Sequence, residues 1–228
     1  MLRLRFRLLS AVTVLGLAAL LLTGLPGVAR ADTLLFANLT NAAENPPVVP
    51  TTSTGAPRPA SFGTANFVLN DAMTAMTFTA TINNIDVTGT QTADINDNLT
   101  AAHIHAALSV LPTQNVGVVW GFFGQPFNDN NPNDAVVTPS ATVGGTFSGK
   151  WDLVEGNNTT LALQLPNILS GNSYINFHTT QFGGGEIRGQ ILVQTPVPTP
   201  EPSGFLLLFA GTAGLLGAFR RRIQRALP

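Results

Sequence analysis

"TAMTFTATI", residues 74–82, decides the fold class. Met76, Phe78, Ala80 and Ile82 alternate with Thr77, Thr79 and Thr81, and a period of two places the two sets on opposite faces of an extended chain. A helix would scatter the same apolar residues around its circumference, so the segment reads as a half-buried strand. Outward from it, "TANFVL" (64–69) repeats the alternation through Ala65, Phe67 and Leu69, and "TLALQL" (160–165) repeats it through Leu161, Leu163 and Leu165. "VGVVWGFF" (116–123), "TFSGKWDLV" (146–154), "SYINFHT" (173–179) and "EIRGQILVQ" (186–194) add β-branched and aromatic runs. Turn formers separate them in "NDAM" (70–73), "NDNNPND" (128–134), "VEGNN" (154–158) and "LSGNS" (169–173). No segment sustains a 3.6-residue apolar period. The expectation is an all-β protein, a single antiparallel β-sandwich or barrel-like domain of about nine strands.

The two ends carry different signals. Residues 1–31 read as a signal peptide: Arg3, Arg5 and Arg7 precede the apolar "LLSAVTVLGLAALLL", and Ala29 and Ala31 supply the small residues of a signal-peptidase site. The exported domain is then 32–194. Residues 195–203 form a proline-rich linker, and 204–219 belong to an uncharged apolar run of a length at the short edge of what spans a bilayer. Residues 220–228 are a basic tail, which favours a cytoplasmic C-terminus. Pro200, Glu201 and Pro202, the apolar run, and Arg220, Arg221 and Arg222 occur in the order of the PEP-CTERM sorting signal, which this end resembles. That resemblance implies export, anchoring in the inner membrane by the C-terminal helix, and cleavage by an exosortase-like enzyme. The destination would be the cell surface, the outer envelope or the medium.

Charge narrows the function classes. The whole chain carries a formal −1, but residues 32–200 hold three basic side chains (Arg58, Lys150 and Arg188) against eleven acidic ones, a net charge of −8. Nucleic acid, which demands clustered Lys and Arg, is excluded as a partner. The absence of cysteine excludes disulfides, thiolate catalysis and zinc–thiolate sites. "DINDN" (94–98) has calcium-ligand residue types but reads as an ordinary polar turn.

Histidine is scarce, with three in the chain, and two of them stand two apart in "TAAHIHAALS" (100–109). On a strand, His103 and His105 point to one face while Ile104 takes the other. In "YINFHT" (174–179), Tyr174, Asn176 and His178 share a face, and in "EIRGQ" (186–190) so do Glu186, Arg188 and Gln190. If these strands are neighbours, His103, His105, His178, Glu186 and Arg188 form one polar cluster. Two readings stand open. His-x-His on a strand plus a third histidine is a way to hold zinc or copper, with Glu186 as a further ligand or as an acceptor orienting an imidazole. Alternatively, the imidazoles belong to a structural network in which Arg188 pairs with Glu186 and no cofactor is present.

"AAHIHAA" (101–107), "GVVW" (117–120), "YINFHT" and "GGGEIRGQI" (183–191) resemble, in that order, the CHRD domain, the module named after chordin. "NLTNAAENPPV" (38–48) and "GTANFVL" (63–69) resemble its opening strands. The resemblance spans about 34–194 and implies a β-sandwich-like fold without implying an activity. The loops "TGTQTADINDNL" (88–99) and "FFGQPFNDNNPNDAVVTPSATV" (122–143) depart from the family pattern. The first functional expectation is a non-enzymatic module at the cell surface or in the extracellular matrix, binding polysaccharide or a surface protein. The second is a metal-binding protein or metalloenzyme using His103, His105 and His178.

Overall fold

The computed structural model describes residues 31–109 and 113–194, together with Gly211, Arg220, Arg221 and Gln224. The expected signal peptide, linker, sorting motif and membrane-crossing segment therefore lie almost wholly outside the described residues. Among those described, no helix is long and apolar enough to cross a membrane. The chain divides into two units, 1–194 and 195–228, and the account below concerns the first.

Ten antiparallel strands make up that unit: β1 (Thr33–Thr40), β2 (Phe62–Leu69), β3 (Ala75–Asn83), β4 (Leu99–Ala106), β5 (Val118–Phe123), β6 (Val136–Pro139), β7 (Gly144–Asp152), β8 (Ser173–Thr179), β9 (Ile187–Gln190) and β10 (Leu192–Val193). They form one sheet in the order β5-β4-β8-β9-β1-β2-β3-β7-β6, with β10 also paired to β1. The expected alternation holds in β3, where Met76, Phe78, Ala80 and Ile82 are buried and the threonines between them are exposed. Leu69 pairs with Met76 and Phe67 with Phe78, so both strands turn their apolar sets to the same side.

A sandwich needs two sheets, whereas here a single sheet supplies both layers. It curls until strands far apart in the order meet across the core, giving a half-barrel. Trp120 on β5 stacks on Trp151 of β7 with ring centroids 5.4 Å apart. Phe147 of β7 meets Phe177 of β8 at 5.2 Å, and Phe78 of β3 meets Trp120 at 5.7 Å. Burial of these large rings, each removing far more apolar surface from water than an aliphatic side chain, is what closes the fold.

The segment read as a strand at 160–165 is instead a helix, α1 (Leu161–Leu169). Thr160 caps it, its hydroxyl accepting from the Leu163 N–H at 3.3 Å. Leu161, Leu165 and Ile168 face the core at helical spacing, while Leu163, inward in a strand reading, is 68 % exposed. Pro166 also weighs against a central strand, since it has no ladder donor.

β4 and β8 differ from β3. All seven residues of β8 and the last six of β4 are buried. Ile104, Ile175 and Phe177 go to the apolar core, and the alternate residues go to a second buried layer on the other face.

Candidate metal centre

That second layer is polar, and register builds it. β8 lies between β4 and β9, pairing His103 with Asn176 and Asn176 in turn with Arg188; His105 pairs with Tyr174, and Ala101 with His178. Loops roof it over, leaving His103, His105 and His178 only 4, 7 and 8 % exposed. One ring nitrogen of each imidazole lies within 4.8 Å of one from each of the others.

Burial sets their charge. It lowers His103 to about 4, helped by the neighbouring His178. It lowers His105 to about 3 against the opposing pull of the Val116 carbonyl, and it lowers His178 likewise. At neutral pH all three are neutral imidazoles, each with one N–H and one bare nitrogen.

Backbone carbonyls then fix which nitrogen is bare. His103 Nε2 lies 3.0 Å from the Gln125 oxygen, His105 Nδ1 2.8 Å from that of Val116, and His178 Nδ1 3.1 Å from that of Gly183. A carbonyl only accepts, so each of these nitrogens carries the hydrogen. The bare nitrogens are His103 Nδ1, His105 Nε2 and His178 Nε2. His103 Nδ1 and His178 Nε2 are 3.1 Å apart, two lone pairs in contact with no proton between them. His105 Nε2 is buried and has no hydrogen-bond partner among the described residues. A structural network would place donors opposite acceptors, whereas here acceptors face acceptors. Around a tetrahedral ion bound at about 2.0–2.1 Å, ligand nitrogens stand about 3.3 Å apart, close to the observed contact. The carbonyl bonds behind the rings are the arrangement that orients metal-bound imidazoles.

Gly121, which pairs with His103 across β4 and β5, makes room for this. A Cβ there would run into the Pro126 carbonyl and meet the His103 ring at 3.0 Å, so only glycine lets the Gln125–Pro126 turn close over the imidazole. Gly121→Ala is expected to cost about 1–3 kcal/mol by overpacking and to remove the exchange-protected Nε2–H resonance of His103 from the proton NMR spectrum. An unchanged melting temperature and an unchanged resonance would refute this.

The other expected members divide. Arg188 is in the layer, 1 % exposed, with its guanidinium 3.5 Å over the Tyr174 ring. Tyr174 stacks in turn on His105 at 4.6 Å and 5°. Arg188 does not pair with Glu186 as expected. Its Nη1 donates to the Gln114 carbonyl at 2.8 Å and to Asn115 Oδ1 at 3.2 Å. Glu186 lies one residue before β9, past the last rung with β8, and belongs to a separate cluster. Its Oε2 accepts from Arg58 Nη2 at 2.7 Å and from Thr179 Oγ1 at 2.6 Å, and its Oε1 accepts from Ser61. Sequence reasoning missed Arg58 in this role because 128 residues separate it from its partner. The roofing carbonyls of Val116, Gln125 and Gly183 left no side-chain signal at all. Asp94 and Asp97, in the stretch with calcium-ligand residue types, accept from Asn96 and Thr92 of their own loop, and Asp94 also accepts from Ser53 of the loop between β1 and β2.

The model of the CHRD domain family matches residues 35–191, well over half of the chain. No curated protein and no solved structure matches it. The matched stretch runs from β1 to the residue after β9 and contains every side chain of the three-histidine cluster. The chain belongs to the CHRD family.

Proposed function

We propose that this CHRD domain is an exported metal-binding module in which His103, His105 and His178 hold a transition-metal ion. One observation carries the reading: hydrogen bonds fix the tautomers so that the bare nitrogens of His103 and His178 are in direct contact, His105 keeps a buried bare nitrogen, and each of the three rings has a nitrogen within 4.8 Å of one from each of the others. A cation between them replaces lone-pair repulsion with three bonds, and imidazole suits zinc and copper. Glu186 serves the fold and is not a ligand.

Export, the second part of the reading, is supported by the basic–apolar–Ala29-x-Ala31 opening and by the Pro-Glu-Pro, apolar and arginine ending. Signal peptidase and an exosortase-like enzyme are the proposed processing partners. The C-terminal helix would anchor the protein in the inner membrane until sorting delivers the domain to the surface or the medium. The module is read as non-enzymatic.

Metal content of protein purified from cells expressing the full-length gene tests this. Near one equivalent of a transition metal is expected by mass spectrometry, falling more than about tenfold in His103→Ala and in His178→Ala. A metal-free wild type that also takes up no zinc or copper on titration would sink the proposal.

A further inference from the structure

The centre has an unusual charge balance. All three donors are neutral, and the chain has no cysteine to supply a thiolate. Among the described residues, the metal-ligating group contains no carboxylate. Glu186 is held by Arg58, Ser61 and Thr179. Glu44 accepts from Asn176 Nδ2 at 3.0 and 3.2 Å and faces Arg188. The Tyr174 hydroxyl is engaged with Val116, accepting from its N–H at 3.2 Å. An ion entering here gains no anionic ligand from the described residues.

A positive charge also stands close to the centre. Arg188 lies against one face of Tyr174 and His105 stacks on the ring, so the cation is one aromatic ring away from a ligand. Glu44, hydrogen-bonded to Asn176, faces Arg188 rather than the imidazoles.

Charge then decides between metals. The cost of moving an ion from water into a low-dielectric interior scales with the square of its charge, so an uncompensated dication costs about four times as much as a monocation. Zinc in a neutral three-nitrogen site ordinarily recovers part of this from a bound water that ionises, which needs an open fourth position reached by solvent. Here the three rings are nearly sealed. A closed-shell monocation that accepts three nitrogen donors needs neither an anion nor a fourth ligand.

Resting on the reading that these histidines bind metal, we infer that the centre selects Cu(I) over divalent cations: three neutral, buried imidazoles close around an ion of single charge beside the Arg188–Tyr174–His105 stack. The site takes copper in its reduced form and disfavours Cu(II), whose second charge it cannot compensate.

The test uses the purified full-length chain, stripped with a chelator and titrated without oxygen against Cu(I) held by a coloured competitor. Parallel titrations use Zn(II) and Co(II). One equivalent of Cu(I) is expected, bound at least about a thousandfold tighter than Zn(II), a ratio worth about 4 kcal/mol. The equivalent should vanish in His105→Gln and His178→Ala. Where a variant fails to fold by circular dichroism, the wild-type ratio alone decides. Zn(II) binding as tight as Cu(I), or a tetrahedral Co(II) spectrum at one equivalent, would overturn the selectivity and leave the metal-binding reading standing. No tight binding of any of the three ions would overturn both.

Discussion

Arg58→Ala is expected to lower stability by about 3–5 kcal/mol, the cost of leaving one member of a buried ion pair without its partner. Glu186 is fully buried and the Arg58 side chain only 6 % exposed, so water cannot replace the guanidinium. The same side chain ties three loops: Nη1 donates to the Asn84 carbonyl at 3.1 Å, Nε to that of Thr51 at 3.3 Å, and Nη2 to Gln181 Oε1 at 3.3 Å. Urea unfolding of the single variants and of Arg58→Ala/Glu186→Gln would measure it. The double variant should be less unstable than the sum of the two, because the neutral amide introduced by Glu186→Gln no longer strands a charge. A loss under about 1 kcal/mol in Arg58→Ala would show that the pair is solvated and the argument wrong.

Taken from pH 7 towards pH 3 without metal, the domain is expected to lose stability gradually, the imidazole loss below pH 6.5 being largely offset by two buried carboxyls down to about pH 4.5 and less so below it. His103 and His105, lowered from 6.5 to about 4 and about 3, bind protons more readily in the unfolded chain. Their contribution is complete above 6.5 and is lost as the pH falls towards the folded values. Glu44 and Asp129 act in the opposite sense. Burial raises them to about 7 and about 6, so the folded state holds their protons more tightly and gains as the pH falls towards their ordinary values of 4.5 and 3.8. The two sets oppose each other above pH 4.5; below it Glu44 adds nothing further, Asp129 adds only down to 3.8, His103 stops losing at about 4 and His105 loses to about 3. Each pKa unit is worth about 1.4 kcal/mol, so the loss left uncompensated between pH 4.5 and pH 3 is about 1–2 kcal/mol. Urea midpoints at pH 7, 5, 4 and 3.5 check this. A midpoint at pH 3.5 equal to that at pH 5 would contradict it.

Legibility in the sequence followed the range of the interactions. β2 and β3 were readable because alternation is local and each strand has one wet face. Leu161, Leu163 and Leu165 misled because three leucines at every second position fit a strand as well as the start of a helix. The choice fell to Ile168, Pro166 and the Thr160 cap, which only tertiary burial arbitrates. His103 and His105 were readable as a pair from period two, and His178 joined them because β8 pairs with β4. The Glu186–Arg58 pair and the choice of imidazole tautomer were not readable. The first spans most of the domain, and the second is set by main-chain oxygens that any residue type would provide.

The double burial of β4 and β8 governs how this domain can change. In β3 every second position is wet, so half of the strand can drift among polar residues at small cost. In β8, Tyr174, Ile175, Asn176, Phe177 and His178 each meet a packed environment, aromatic or aliphatic on one side and hydrogen-bonded on the other. A substitution that suits one layer gains nothing from the other, and an insertion of one residue would exchange imidazoles for the isoleucine and phenylalanine of the core. Variation among descendants of this chain should therefore pool in the wet halves of β2, β3 and β7 and in the loops, leaving β4 and β8 as its slowest-changing text.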